Sequence, residues 1–287
     1  MIKHKYYNDF NFSEFINQYY KIPTIKDNKF TEINFELNKQ QKELLNKFLE
    51  NDYVVCKKSR QVGGSTLIAA ILLIQALLSE GGEHFYYVGI NKMMCDDMAS
   101  KVKRFINRLP LVIFNDCTKP ILKKDNRKEI VFNNNTTIHY VTIDDLDKSM
   151  IGIGNIRTVI LDEVSCVNVE MLLKQLYYLN NMSLRENFKI LVISTPKKTE
   201  DNSLNVFKEL YSFAKVKHSL YWWNDSRFNK GIVWVKNDDI LYRTNFDNFN
   251  ELYENGWKPI SPWYCRMYEA FGHDLDKIKS ELDCEFE

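Results

Sequence analysis

Two hydrophobic patterns follow one another along the chain, and their order predicts its architecture. Short apolar or aromatic runs, typical of buried strands, occur at residues 53–56, 84–89, 157–161 and 188–193. Longer segments with helical spacing or a helix-length apolar run occupy residues 38–51, 67–78, 93–108 and 169–179. Because buried strands that alternate with helices form parallel sheets covered on both faces, we expect an α/β fold with a mainly parallel central sheet flanked by helices.

The two ends of the chain follow other patterns. Before the first strand, the sequence predicts a helix near residues 12–20 and then an extended arm. After Pro196 the sequence predicts two antiparallel strands and two helices, at residues 215–221, 232–236, 248–255 and 261–272. We therefore expect an N-terminal arm, a core and a small C-terminal subdomain, at residues 1–36, 37–200 and 201–287.

The first strand and the following helix are joined by a segment that we call the phosphate loop, Lys58-Ser59-Arg60-Gln61-Val62-Gly63-Gly64-Ser65-Thr66. A strand that leads through a tight turn into a helix N-terminus makes a concave anion site. The loop fits the pattern G-x-x-x-x-G-K-[ST] with one exchange, because Lys58 stands at the first glycine and Gly64 at the lysine. Gly63 and Gly64 would allow close backbone approach and Ser65 would ligate Mg²⁺. A simple turn between a strand and a helix is the alternative.

Two lysines compete for the phosphate role in this loop. A lysine on a flexible stem acts as a mobile point charge and reaches a phosphate from either flank. Side chains alternate along a strand, so if Cys56 faces inward, Lys57 points the other way. We therefore expect Lys58 to contact the phosphates.

Polar residues end two later strands of the predicted sheet. Asp162 would hold Mg²⁺ and Glu163 would polarise the attacking water of a nucleotide hydrolase. Arg60 would offset charge on the γ-phosphate as an arginine finger, and the Ser194 and Thr195 hydroxyls would sense that phosphate. The alternatives are an acidic pair that ends a strand, a surface arginine and a small polar strand terminus. Ligands bind at the carboxyl ends of parallel strands, so these residues are expected at one edge.

Other polar and aromatic residues have two interpretations each. Gln41 is either part of a helix cap that bonds back to Asn38 or an adenine-reading glutamine. Two basic clusters either follow a phosphate backbone or form solvated surface, and they contain Lys101, Lys103, Arg104, Lys123, Lys124, Arg127 and Lys128. Trp222, Trp223 and Trp257 are predicted to lie in a core or an interface and not to serve as base-stacking platforms.

Composition narrows the class of protein. The chain has 287 residues, of which 45% are hydrophobic and 27% charged, as in ordinary soluble globular proteins. Its net charge of +1 means that any nucleic-acid contact must come from a local patch. The six cysteines show no metal-type spacing and are expected as reduced thiols. Neither a signal peptide nor an apolar run of membrane-spanning length is found, so we expect a cytosolic protein.

Together these motifs resemble the ATPase domain of the large terminase subunit of tailed bacteriophages, the motor that packages DNA into proheads. The resemblance covers nearly the whole chain. Residues 37–41 are similar to the adenine-binding Q-motif, residues 55–66 to the terminase phosphate loop and residues 160–163 to the second nucleotide motif. Residues 87–91 resemble the next strand and loop of such motors, and residues 193–196 resemble the coupling motif. The segment before the nuclease domain is similar to residues 262–264 and 281–286.

The resemblance implies a RecA/ASCE-type P-loop NTPase fold, ATP and Mg²⁺ as ligands, and double-stranded DNA as substrate. Glu163, Arg60 and Lys58 would be catalytic, and Ser65 and Asp162 would hold the metal. Nucleotide would be bound by Gln41, Lys58, Ser59, Arg60, Gln61, Val62, Gly63, Gly64, Ser65, Thr66, Asp162 and Thr195. Implied partners are the portal protein of the prohead, the small terminase subunit and further copies in a pentameric ring, with a monomer as the expected isolated form. The expected location is the host cell cytoplasm.

Two departures from the family pattern set further expectations. Gly64 replaces the usual lysine, so either Lys58 substitutes for it or the chain is an ATP-binding module with little turnover. No cluster of acidic metal ligands follows residue 287, so we expect no DNA cleavage by this chain. A helicase that acts alone would need a second motor domain, for which this length leaves no room.

Overall fold

The computed structural model describes residues 11–26, 29–110, 112–114, 117–118, 120–182, 187–197, 205–237, 239–242 and 249–286. Residues 1–10 of the predicted arm lie outside these ranges, as do residues 201–204 and 243–248 of the predicted C-terminal subdomain. The α-helices are α1 Phe12–Tyr19, α2 Lys39–Glu50, α3 Gly64–Leu78, α4 Lys92–Arg108, α5 Leu146–Met150, α6 Val169–Met182, α7 Val206–Phe213, α8 Phe249–Glu254, α9 Pro262–Ala270 and α10 Leu275–Lys277.

The strands are β1 Lys21–Lys26, β2 Lys29–Asn34, β3 Tyr53–Lys58, β4 His84–Gly89, β5 Val112–Phe114, β6 Cys117–Thr118, β7 Leu122–Asp125, β8 Glu129–Phe132, β9 Thr137–Thr142, β10 Ile156–Asp162, β11 Lys189–Ser194, β12 Lys217–Leu220, β13 Val233–Lys236, β14 Asp239–Tyr242 and β15 Lys258–Ile260. Short 3-10 helices cover Ile143–Asp145, Val164–Cys166 and Trp222–Asn224, and a π-helical turn, Ile278–Leu282, continues from α10.

A mixed sheet of eight strands forms the centre of the described part, in the order β12-β3-β11-β10-β4-β9-β8-β7. The six strands from β12 to β9 are parallel, and β8 and β7 run antiparallel at one end. Strand β11 lies between β3 and β10. The phosphate loop, which follows β3, therefore meets the two predicted polar strand ends, those of β10 and β11, at one edge of the sheet. This arrangement confirms the predicted mainly parallel α/β fold.

Helices cover both faces of the sheet, because its central strands are apolar on both sides. Along β3, Val54 and Cys56 face one hydrophobic core and Val55 faces the other, which follows from strand alternation. The first core packs α2, α3 and α4 against the sheet, and the second packs α5, α6 and α7. Helix α3 is apolar around nearly its whole circumference and is buried along most of its length.

The segment after β12 forms a smaller layer that packs beside the phosphate loop. Strands β14, β13 and β15 make an antiparallel sheet, as predicted for residues 232–236. Trp222 and Trp223 are fully buried and Trp257 is partly buried against the same core, which confirms their prediction as core residues. The C-terminal tail, which we define as residues 278–286, runs back to the start of the phosphate loop.

One prediction about this segment was wrong. Residues 215–221 were predicted as an antiparallel strand, but β12 pairs in parallel with β3 and extends the main sheet. Helix α7, which the sequence prediction missed, carries the chain across the sheet between β11 and β12, so that β12 runs parallel to β11 and to β3, which lies between them. The division of the chain at residue 200 stays a prediction, although β12 belongs to the main sheet.

Smaller predictions at the ends hold at the level of elements. The helix predicted near residues 12–20 is α1, and the arm after it is the hairpin of β1 and β2. The five cysteines whose side chains are described form no disulfide. Within the described ranges, no helix combines the length and the apolar character that crossing a membrane requires.

Candidate functional site

The phosphate loop has the geometry of an anion site. Strand β3 ends at Lys58, and α3 begins at Gly64 after Gly63, whose φ of 80° is left-handed. A Cβ atom on Gly63 would lie 2.8 Å from Gln41 Nε2, so both the backbone angle and the space require glycine. The unpaired N–H groups in the first turn of α3 therefore face the loop, as in phosphate-binding helix N-termini.

Lys58, and not Lys57, points into this site. The Lys58 ammonium contacts a Glu163 carboxylate oxygen, lies 3.4 Å from Thr195 Oγ1 and 3.9 Å from Asp162 Oδ1, and the residue is only 6% exposed. Lys57 Nζ instead donates to the Cys284 carbonyl at 3.1 Å and lies over the Tyr211 ring. The orientation is the one predicted from strand alternation.

The glycine at position 64 makes room for this lysine. A Cβ atom on Gly64 would lie 3.0 Å from Lys58 Cδ and 3.5 Å from Ile193 Cδ1. The aliphatic stem of Lys58 thus occupies the space that a side chain at position 64 would need. The two exchanges relative to the usual loop pattern are therefore spatially linked, because each position accommodates the other.

Asp162 supplies an oxygen that fits a cation. Its side chain is 1% exposed, and its Oδ2 accepts from the Tyr87 hydroxyl at 3.1 Å and from Ser65 Oγ at 3.5 Å. Its Oδ1 has no hydrogen-bond partner among the described residues, which is costly for a buried carboxylate oxygen. A hydroxyl next to a carboxylate is the kind of oxygen set that Mg²⁺ accepts, so Ser65 and Asp162 fit a magnesium ion.

Glu163 is held at the neighbouring position by several donors. Its backbone is left-handed, with φ of 59°, which is uncommon for a residue other than glycine. Its Oε2 accepts from Thr195 N at 3.1 Å and from Ser194 Oγ at 3.4 Å, and its Oε1 contacts Lys58 Nζ. Ser194 and Thr195 thus bond to the second carboxylate in this structure.

Charge in this cluster is unbalanced. Burial alone would lower the pKa of Lys58, but the Asp162 and Glu163 carboxylates outweigh it and raise that pKa. Burial raises the pKa of Asp162, which Lys58 only partly opposes. Burial also acts to raise the pKa of Glu163, but Lys58 and the Thr195 and Ser194 bonds overcome it and lower that pKa. One ammonium thus faces two carboxylates, a set that favours an added cation.

Two predicted loop residues face the C-terminal tail and not this cluster. Ser59 is fully buried, and its hydroxyl donates to the Leu282 carbonyl at 2.6 Å. Arg60 forms an ion pair with Glu281, and its backbone N–H donates to the Glu281 carbonyl at 2.7 Å. The Arg60 side chain remains 53% exposed. The nucleotide roles of Ser59 and Arg60 stay predictions.

Gln41 lies behind the loop and serves as part of a helix cap. Its Oε1 accepts from Asn38 N at 3.0 Å while its own N–H donates to Asn38 Oδ1, the reciprocal pair of a capping box. Its Nε2 also donates to the Val62 carbonyl at 3.0 Å. The cap interpretation is confirmed, and adenine recognition stays a prediction, as do the binding roles of Gln61 and Thr66.

Three residues at this site were not predicted. Tyr87 bonds to Asp162, Glu281 pairs with Arg60, and Arg227 donates to the Gln61 carbonyl at 3.3 Å. The strand pattern could have placed Tyr87 near the sheet edge. Arg227 and Glu281 carry no such signal, because their segments join the site only through tertiary packing.

Four of the seven residues in the two basic clusters form ion pairs with acidic neighbours. Lys101 and Lys103 bridge to Asp97 and Asp125, Lys124 to Glu129, and Arg127 to Asp96. These contacts lie within α4, between α4 and the β7–β8 hairpin and within that hairpin, and they favour the solvated-surface interpretation.

Fold and site define the chain as a P-loop NTPase of the RecA-like class. The phosphate loop joins β3 to α3 and faces the acidic pair at the end of β10, and strand β11 is inserted between β3 and β10. Within that class, the family model described as DEAD/DEAH box helicase matches residues 38–227, and the chain belongs to this family. Comparison with curated protein sequences gave no match.

Solved structures share this fold. The large terminase ATPase domain of Thermus phage P74-26 is 14% identical, with a TM-score of 0.54 over 88% of this chain and 95% of that one. The HK97 bacteriophage large terminase is 14% identical, with a TM-score of 0.52 over 92% of this chain and 53% of that one. The large terminase of a thermophilic bacteriophage is 12% identical, with a TM-score of 0.50 over 68% of this chain and 49% of that one. The predicted resemblance in fold to terminase ATPase domains is confirmed.

Proposed function

We propose that this chain is the ATPase motor of a viral large terminase, which hydrolyses ATP to move double-stranded DNA into a prohead. The observation that supports hydrolysis best is the convergence of Lys58 with Asp162, Glu163 and Thr195 at the mouth of the phosphate loop. Such a motor needs a phosphate clamp, a metal-holding carboxylate and a water-activating carboxylate at one edge. The terminase fold and the motif order support the choice of DNA packaging.

Each residue has a role in this proposal. Lys58 binds the β- and γ-phosphates and leaves Glu163 free to accept a proton from the attacking water. Ser65 and Asp162 would hold Mg²⁺, which would supply positive charge against the phosphates. Once the Arg60 guanidinium has left Glu281, it offsets negative charge on the γ-phosphate. Thr195, which bonds to Glu163, links the state of the γ-phosphate to the end of β11.

Steady-state ATP hydrolysis, with nucleotide binding measured alongside, tests the proposal. Lys58→Ala and Glu163→Gln should each lower turnover by about 100-fold or more, since they remove the charge clamp and the general base. Lys57→Ala is the matched control, because the Lys57 ammonium bonds to the Cys284 carbonyl and not to the site. This substitution should change turnover by only ~2-fold or less. Wild-type protein that binds ATP without turning it over would contradict the motor and favour the ATP-binding module.

The position of the lysine can be tested by moving it back. Gly64→Lys alone should lower turnover, because its Cβ atom would press on the Lys58 stem. The double variant Lys58→Ala with Gly64→Lys removes that clash and should recover part of the turnover lost in Lys58→Ala. If Gly64→Lys alone instead activates an inactive wild type, Lys58 does not do the phosphate work.

The family match favours strand separation as a second candidate activity on DNA. The two activities differ in product: a packaging motor moves an intact duplex, whereas a helicase releases single strands. Nuclease protection of DNA in proheads supplied with portal protein and small subunit would show packaging. Release of a labelled strand from a short duplex, with no protected DNA, would instead favour the helicase. Ring assembly on the prohead belongs to the same proposal, and the oligomeric state during packaging tests it.

A further inference from the structure

The carbonyl groups at the tip of the phosphate loop have dedicated partners. A loop that binds phosphate through its backbone N–H groups turns the carbonyls of the same peptide units to its outer side, because trans peptides hold the two groups opposite. There the Val62 carbonyl accepts from Gln41 Nε2 at 3.0 Å, and the Gln61 carbonyl accepts from the Arg227 guanidinium nitrogen Nη2 at 3.3 Å. These two donors thus orient the peptides whose N–H groups belong to Val62 and Gly63.

Arg227 is itself fixed from behind. Asp225, which is 3% exposed, accepts from Arg227 Nε at 2.9 Å and from Arg227 Nη2 at 2.6 Å, which makes a bidentate pair. The guanidinium also lies 4.8 Å from the centre of the Phe228 ring. Because Asp225 N donates to the Trp222 carbonyl, the arginine is anchored to the buried aromatic layer next to β12.

The loop needs such support. Gln61 has φ of 64°, a left-handed conformation that is unfavourable for a residue other than glycine. A Cβ atom on Gly63 would lie 3.8 Å from Arg227 Nη2, so the guanidinium lies directly against the strained turn. A charged donor on the Gln61 carbonyl stabilises this conformation.

We propose that Arg227, held by Asp225, is a positioning residue that keeps the tip of the phosphate loop in its nucleotide-binding conformation. The inference rests on the proposed function, in that the loop binds nucleoside di- and triphosphates. Arg227 acts through the Gln61 carbonyl and touches no reacting atom, so it affects ADP and ATP alike. Nucleotide affinity, and not the turnover of bound ATP, depends on it.

The test is titration of the whole chain with fluorescent ADP and ATP, together with KM and kcat for hydrolysis. Arg227→Ala should weaken both nucleotides by about 5- to 30-fold, the loss of one charge-assisted bond, with kcat within ~2-fold of wild type. Asp225→Asn should act in the same direction, since it weakens the support of the guanidinium. Arg266→Ala removes an exposed arginine of α9 and is the matched control, with unchanged affinity expected.

Arg227→Lys separates position from charge. It retains the charge but cannot hold Asp225 bidentately and reach the Gln61 carbonyl together, so only part of the affinity should return. Full recovery in Arg227→Lys, unchanged affinity in Arg227→Ala, or a fall in kcat as large as the fall in affinity would each overturn the role. If Arg227→Ala does not fold, Arg227→Gln and Arg227→Lys are compared under the same criteria. Wild type that binds neither nucleotide would overturn the proposed function itself, which separates the two failures.

Discussion

Among single residues, Asp283 in the C-terminal tail has the clearest consequence for stability. Its carboxylate is 5% exposed; its Oδ2 accepts from the Tyr264 hydroxyl at 3.2 Å, and its Oδ1 has no hydrogen-bond partner in the described part of the chain. Burial raises the pKa of Asp283 to about 7; Lys258 opposes the shift and Glu285 adds to it. The folded chain therefore binds a proton at pH values where the unfolded chain has released it.

This raised pKa predicts how stability changes with pH. Between the ordinary pKa of 3.8 and about 7, the folded state holds more protons, so the Asp283 contribution to the free energy of unfolding falls as pH rises. Above about pH 7 that loss is complete. Asp283→Asn stays neutral and should be more stable than wild type near pH 8, by up to ~4 kcal/mol, with little difference near pH 4.

Urea unfolding of both proteins at these two pH values measures the effect. The difference between variant and wild type is the quantity to compare, because other groups titrate in both proteins alike. A difference that is the same at both pH values would show that Asp283 has an ordinary pKa.

At the scale of elements, the start of α2 joins helix stability to the phosphate loop. The Asn38 cap fixes Gln41, and Gln41 in turn donates to the Val62 carbonyl. Helix caps normally affect only stability, so this link makes a local helix signal part of the candidate site.

A cap substitution separates these two effects. Asn38→Ala should cost about 1 kcal/mol of stability and also weaken nucleotide binding, because the Gln41 backbone N–H loses Asn38 Oδ1 and the first turn that carries the Gln41 side chain is held less firmly. Asn11→Ala removes the same kind of cap from α1, which lies elsewhere, and should affect stability alone. Thermal unfolding and nucleotide titration of both variants measure the two effects. Equal nucleotide affinity in the two variants would rule out the link.

At the scale of the whole molecule, the C-terminal tail closes on the beginning of the phosphate loop. Lys57, Ser59 and Arg60 all bond to the tail, through the carbonyls of Cys284, Leu282 and Glu281. Residues more than 200 positions apart are thereby held together, for example Ser59 and Leu282, which are separated by 223 positions. Through Ser59 and Arg60, which belong to the phosphate loop, the tail therefore positions the loop and engages Arg60.

The Arg60–Glu281 ion pair yields a prediction about turnover. Under the proposed function, Arg60 must leave Glu281 to reach the γ-phosphate, so the pair competes with hydrolysis. Glu281→Gln should raise kcat by up to ~5-fold, the equivalent of an exposed pair worth at most ~1 kcal/mol. Glu269→Gln on α9 is the control for loss of an exposed carboxylate. A kcat that stays the same or falls would show that Arg60 does not exchange partners.

The amino-acid pattern was enough to predict the sheet, the phosphate loop and the acidic strand end. Continuous apolar runs are buried in any parallel sheet, and the residues that end those strands meet at one edge. Strand alternation also indicated that Lys58, and not Lys57, faces this edge. These features could be predicted because each depends on residues that are close together in the chain.

The distant residues that complete the site could be identified only from the folded chain. Arg227 meets Gln61 across 166 positions, Glu281 meets Arg60 across 221, and β12 joins β3 through a helix that the sequence prediction missed. Such contacts carry no periodic signal, because they depend on how the packed layers bring loops together. The space that Lys58 shares with Gly64 is likewise a matter of packing: the sequence shows the exchange, and the fold makes the two positions compatible.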